Sequence, residues 1–231
     1  MGLYDRNYTA QDRNIGAVGA FADENALVSF VKTTYKFLAA SLLFATIGAL
    51  VGFMYFDVVT QPGVRIGLFI AEIATLLGLM FLRSSPGLNV ALLFIFTTLT
   101  GVVLVPLLGL VIAKDGVSVV WQAFGMTTII FGVMSLFALK TKADLSQYGK
   151  MLFIALIVIL VCSIINIFLG STLFHTLIAA GIVVLFSIYI AYDTQNIVRG
   201  LYESPVIAAI SLYLDIYNIF TALLSLLSSD D

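Results

Sequence analysis

The chain has 231 residues, 61% of them hydrophobic and only 10% charged, with a mean hydropathy of +1.11 and a formal net charge of -2 at pH 7. Soluble globular domains carry about a quarter charged residues, so this composition excludes one and identifies an integral membrane protein. The small net charge and the lack of any Lys/Arg cluster exclude a nucleic-acid surface, and the single cysteine, Cys162, excludes an intrachain disulfide or a cysteine-built metal site.

Residues 1–32 read as a polar N-terminal tail. Its first residues hold no apolar h-region, so no cleaved signal peptide is expected. Arg6 stands where an N-myristoylation motif needs Ser or Thr. A helix is expected to begin near Asp23 as N-cap, with Glu24 favourable in its first turn. Apolar runs long enough to cross a bilayer follow at 33–56, 64–82, 89–112, 117–139, 149–169, 172–199 and 205–227, and 228–231 is a short acidic tail. The fold class is therefore all-α, a transmembrane domain of seven helices over 33–227. In the first span Gly48 and Gly52 form a GxxxG pair, expected to serve packing within the molecule. Pro106 in the third removes a backbone hydrogen bond. His175, the sole histidine, belongs near the outer end of the sixth.

Basic residues divide unevenly between the two sides of seven spans. Arg6, Arg13, Lys32, Lys36, Arg83, Lys140, Lys142, Lys150 and Arg199 fall on the N-terminal side; Arg65 and Lys114 fall on the other. The positive-inside rule then makes the N-terminus cytoplasmic and the C-terminus external. Six spans with a re-entrant last segment would instead return the C-terminus to the cytoplasm.

The exceptional stretch is Ser187 to Phe220, SIYIAYDTQNIVRGLYESPVIAAISLYLDIYNIF, which sets two carboxylates, Asp193 and Asp215, in apolar surroundings. An ionised group there costs roughly 2.5 to 3.5 kcal/mol on insertion scales, so such residues face the bundle interior, a water path or a partner. The helical register of the sixth span continues through DTQNIV to Gly200, a natural C-cap, while Ser204 caps and Pro205 begins the seventh helix. At 1.5 Å per residue both aspartates lie within about one turn of the same depth. Two carboxylates at close range cannot both ionise cheaply, so they titrate as a unit and respond to pH near neutrality. Glu72, mid-way along the second span, and Arg83 at its end are further embedded charges. The arginine could pair with whichever carboxylate is ionised, which makes a switch, or simply snorkel to the interface. Asp193 could likewise be a solvated helix-end carboxylate, and Glu72 could bond to nearby helix backbone. Tyr189, Asn196, Tyr213 and Asn218 are placed to complete the hydrogen bonding.

AYDTQNI, followed about twenty residues later by AAISLYLDIYNIF, resembles the paired C-terminal signature of the Bax inhibitor-1, or transmembrane Bax inhibitor motif, family. FTTLTGVVLVPL at residues 96–107 and the Glu72 and Arg83 pair resemble that family's third- and second-span patterns. The resemblance covers nearly all of the chain after residue 30. It implies a seven-helix fold with the C-terminal helix central and the other six around it. It also implies a pH-sensitive calcium leak, with Asp193 and Asp215 as pH sensor and gate, Arg83 as the cation that exchanges partners, and Glu72 at an acidic pore or pairing position. Ser228, Ser229, Asp230 and Asp231 replace the basic tail of eukaryotic members, and with the short loops this suggests a bacterial inner-membrane member. The family is also associated with cell-death suppression and membrane-protein quality control.

No cofactor and no enzymatic activity are expected, and calcium or protons are the expected permeant species, with membrane lipid around the chain. A carboxylate-lined path suits hard cations over anions. A competing reading is a non-transporting regulator or scaffold that binds a membrane protein such as a membrane protease. An intramembrane aspartyl protease also uses two membrane aspartates, but Leu212, Tyr213 and Leu214 stand where its GxGD motif needs glycines. A proton-coupled transporter would show interrupted spans in matching halves, and none is evident.

Overall fold

In hydrocarbon no water satisfies the backbone, so each apolar run must close its own hydrogen bonds and becomes a helix. The computed structural model describes residues 24–82, 85 and 87–228, and among these the regular structure is helical throughout. Seven helices are long and apolar enough to cross a membrane. They are α1 (Glu24–Met54), α2 (Pro62–Phe81), α3 (Leu88–Asp115), α4 (Val117–Lys140), α5 (Gly149–Leu169), α6 (Thr172–Val198) and α7 (Pro205–Ser228). A short helical turn, Phe56–Val59, follows α1, and a 3-10 turn, Leu145–Tyr148, precedes α5. The chain is thus a multi-pass membrane protein. Helix α1 begins at Glu24, ahead of the apolar run. The expected cap Asp23, Arg83 and the acidic tail residues Asp230 and Asp231 lie outside the described residues.

Lipid is as apolar as leucine, so helix contacts depend on small residues that let backbones approach. The buried residues of α1 form one stripe, Phe30, Thr34, Leu38, Ser41, Gly48 and Gly52, and its glycines face α3. A Cβ on Gly48 would stand 2.1 Å from the Thr98 carbonyl oxygen, and one on Gly101 would stand 2.0 Å from that of Ala45. The GxxxG pair therefore packs within the molecule, as expected. Pro106 lies inside α3 without ending it.

Helix α7 is the core of the bundle. Of its apolar stretch 56% is buried, against 6% for α2 and 6% for α5. Ala208, Ala209 and Ala222 on its surface are buried and leave room for neighbours. The surrounding helices stand in two ranks: α1, α3, α4 and α6 pack directly on α7, while α2 stands behind α3 and α5 behind α6. Exposed side chains such as Phe168, Phe81, Leu173 and Trp121 cover the outside, the pattern of a lipid-facing surface. Helix α7 does not re-enter on the side where it began. Its far end meets the start of α6, where His175 Nε2 lies 2.6 Å from Ser225 Oγ, and the end of α3, where Lys114 Nζ donates to the Ser228 carbonyl at 2.7 Å and Ser228 Oγ donates to Asp115 Oδ2 at 2.6 Å.

Candidate functional site

The site forms where α6 turns into α7. Gly200 takes a φ of 66°, a left-handed conformation that suits glycine, and closes α6 with paired bonds. The Leu201 amide donates to the Asn196 carbonyl at 2.9 Å and the Gly200 amide to the Ile197 carbonyl at 3.1 Å, the Schellman arrangement. Ser204 then caps α7, accepting from the Ile207 amide at 3.2 Å. Asp193 stands six residues before Arg199 and Asp215 ten after Pro205, so at 1.5 Å per residue they lie roughly 9 and 15 Å from their helix ends.

The last turns of α6 are buried on every side, from Asp193 through Ile197. Successive helix positions turn by about 100°, and each polar group finds a different neighbour. The Asp193 carboxyl meets the Asp215 carboxyl and the Tyr202 phenol. The Thr194 hydroxyl lies 3.3 Å from Ser135 Oγ on α4 and bonds to Tyr35 on α1. Gln195 clamps the loop before α5, donating from Nε2 to the Ala143 carbonyl at 2.9 Å and accepting at Oε1 from the Leu145 amide at 2.7 Å. Arg199 completes the clamp with an ion pair to Asp144. The Ser146 hydroxyl, first, and then Arg199 hold the Asp144 carboxyl below its usual range. Burial, reinforced by the charge of Asp193, pushes the Tyr202 phenol above its ordinary range.

The aspartates are thus brought together, with exposures of 4% for Asp193 and 3% for Asp215. Among the described residues neither has a lysine or arginine as an ion-pair partner. Asp215 Oδ2 and Asn196 Oδ1 are buried with no hydrogen-bond partner among the described residues. Tyr189 is close enough to feel the charge of both aspartates.

Other expected partners lie elsewhere. Asn218 donates to the Leu214 carbonyl of its own helix at 2.7 Å. Tyr213 bonds to Thr100 on α3, its ring 6.1 Å from that of Tyr217. Glu72 is half-buried on α2 and acts electrostatically on Tyr213 and Tyr217 rather than on the aspartates. The reason is angular. Positions 213 and 217 point about 200° away from 215 around a helix, so α7 itself separates Glu72 from the pair. Arg83 lies outside the described residues. Tyr202, Gln195, Thr194, Ser135 and Tyr35 escaped the sequence reading. The signal available for two of them was the unbroken polar run DTQN in a helix that is otherwise apolar. No group of three or more His, Cys, Asp or Glu residues suited to a metal occurs among the described residues.

A family model described as "Inhibitor of apoptosis-promoting Bax1" matches residues 27–231. An uncharacterized protein of Helicobacter pylori is 60% identical over 98% of this chain and 96% of its own length. Protein lifeguard 4 of Mus musculus is 29% identical over 98% and 95% of the two chains, and the modulator of FtsH protease YccA of Escherichia coli is 31% identical over 91% and 95%. A helical membrane bundle built on its last helix, two buried aspartates where that helix meets the one before it, and a family match over nearly the whole chain lead to one conclusion: this protein belongs to the Bax inhibitor-1 family.

Proposed function

We propose that the chain is a pH-sensitive cation leak gated by the Asp193–Asp215 pair, with calcium as a permeant ion. The observation that carries this reading is the burial of two carboxylates against each other with no basic ion-pair partner among the described residues. Such a pair is stable when it shares a proton, because two charges in contact away from water repel strongly. A change in its proton occupancy alters the α6–α7 contact beside a turn of six residues, Arg199 to Ser204. Arg83 is the cation proposed to pair with an ionised member, and Glu72, within electrostatic reach of Tyr213 and Tyr217, is the proposed acidic group of the path. Oxygen donors of this kind suit a hard cation. The uneven division of basic residues supports a cytoplasmic N-terminus. The Escherichia coli relative called inner membrane protein YccA supports an inner-membrane location.

A second reading is favoured by one finding, that a relative 31% identical to this chain is a modulator of the FtsH protease. Here the protein regulates a membrane protease without moving ions, and the buried pair fixes the α6–α7 geometry.

Calcium flux into proteoliposomes over roughly pH 5 to 8 separates the two. The parent is compared with Asp193→Asn, Asp215→Asn and Arg83→Ala. A flux that varies with pH, with its pH dependence altered in both Asn variants, supports the gate. Folded parent protein that passes no more calcium than empty vesicles at any pH refutes the leak and leaves the regulator.

A further inference from the structure

Protein surrounds the last turns of α6 laterally. Residues 193–197 are buried at five consecutive positions, and at about 100° per residue these cover the whole circumference of the helix. The approach that remains runs along the helix axis from the turn Arg199 to Ser204. In that turn Leu201 is 50% exposed and Glu203 is exposed, while Tyr202 between them is half-buried. Its ring packs on the apolar cluster that holds Ile197, Val206 and Ile210, and its phenol bonds to the Asp193 carboxyl and to the Ser211 hydroxyl. One side chain thus ties the turn to both helices. At the same α6–α7 contact Asp215 Oδ2 and Asn196 Oδ1 are buried acceptors with no partner among the described residues, groups that a donor such as water would satisfy.

We propose that Tyr202 is the lid of the aspartate pair: closed, it holds Asp193 against Asp215 and shuts out water, and proton exchange with the pair requires the turn to swing the tyrosine away. The inference deepens the proposed gate and rests on that reading for its consequence, that the lid sets how fast the gate follows a change of pH. A tyrosine suits the role because its two parts act separately, the ring as an apolar cover and the hydroxyl as a latch. Besides each other, the aspartates meet two further titratable groups, Tyr202 and Tyr189 of α6. Tyr35 of α1 and Ser135 of α4 turn to Thr194, and Arg199 turns to Asp144, which leaves Tyr202 as the polar contact the turn makes with the pair. Exchange then proceeds through local opening and scales with the open fraction.

The full chain is reconstituted in phosphatidylcholine vesicles and moved from water to heavy water in mild acid. The carboxylic-acid infrared band that is absent from the Asp193→Asn, Asp215→Asn double variant is followed in time. Tyr202→Phe keeps the ring and loses the latch, and its band is expected to deuterate about tenfold faster than that of the parent. Tyr202→Ala also removes the cover and is expected to be faster still, while Leu201→Ala, on the exposed side of the same turn, is expected to match the parent. Elution and circular dichroism identify folded variants, and if Tyr202→Ala fails to fold, Tyr202→Phe carries the test. Tyrosine variants that exchange within about twofold of the parent, or a Leu201→Ala rate as fast as that of the tyrosine variants, would overturn the lid. The readout needs no ion gradient, so loss of the leak reading and loss of the lid are separate results.

Discussion

Gly101→Ala is the sharpest test of how α3 is held. The added Cβ would stand 2.0 Å from the Ala45 carbonyl oxygen and 2.9 Å from the Ala49 amide nitrogen, where ordinary contact begins at 3.4 Å. Both obstacles are helix backbone and cannot rotate away, so α1 must move outward by about 1.4 Å (3.4 − 2.0). A radial gap of even 0.5–1 Å forfeits a quarter to a half of the dispersion at a contact, and overpacking typically costs 1–3 kcal/mol. The expected loss is about 3 kcal/mol, at the top of that range, or roughly a hundredfold in the unfolding equilibrium. Reversible unfolding in mixed detergent micelles measures it. Gly125→Ala on α4 is the control: nothing lies within 4 Å of its added Cβ, and the better helix propensity of alanine predicts a gain of up to about 1 kcal/mol. If Gly101→Ala unfolds within about 0.5 kcal/mol of the parent, α1 and α3 do not meet backbone to backbone.

Double-mutant cycles test which acids share a site. Asp193→Asn with Asp215→Asn is expected to show a coupling of about 0.5–3 kcal/mol, and Glu72→Gln with Asp215→Asn additivity within about 0.5 kcal/mol; a Glu72–Asp215 coupling as large as that of the aspartates would contradict the separation by α7. Gln195→Leu removes both bonds to the loop, an expected cost of about 1–3 kcal/mol, and the Leu145 amide should exchange hydrogen faster. Unchanged exchange there would show that Gln195 is not the clamp. The Asp144 carboxyl is held below its usual range by Ser146 and Arg199, so its folded value lies under its unfolded one. Its contribution is fully present above the unfolded value, about 3.9, and is lost as pH falls through the folded value. Proteolysis of the 141–148 loop should therefore be flat with pH near neutrality and rise only in strong acid, while Asp144→Asn should show the acid behaviour at every pH. A parent loop that loosens as pH drops from 7 to about 5 would break that assignment.

The parts legible in the sequence were those that depend on distance along a helix. Apolar run lengths located the helices, and Gly200, Ser204 and Pro205 placed the turn from which the depths of Asp193 and Asp215 follow by simple rise. The illegible parts depend on rotation. A soluble helix shows its inner face as an apolar stripe, but a helix in lipid is apolar on both faces, so nothing in the pattern of α2 says that Glu72 lies within electrostatic reach of Tyr213 and Tyr217 rather than beside Asp215. The same uniformity hid the outer rank of α2 and α5. Tyr202 was hidden for another reason: a short polar turn such as GLYES carries no periodicity, and its tyrosine folds back onto Asp193 only because Gly200 reverses the chain there.

Stability does not explain the two aspartates. Replacing a buried ionisable cluster with well-packed apolar groups is often neutral or stabilising, so a buried polar pair is weak support for a role in folding. Here the case is stronger, because a buried oxygen left without a partner costs about 1–3 kcal/mol, and Asp215 Oδ2 and Asn196 Oδ1 are both in that condition among the described residues. The rest of α7 follows the opposite rule: Tyr213 and Asn218 each find a bond, and Lys114, Asp115 and His175 engage its far end. Two of the four buried side-chain oxygens that lack a hydrogen-bond partner among the described residues thus lie where α6 meets α7, the other two being Ser41 Oγ on α1 and Asn166 Oδ1 on α5. A bundle selected only to hold together would carry leucines at 193 and 215, and that substitution, made at both positions, should leave the fold at least as stable while removing any response to protons at this site.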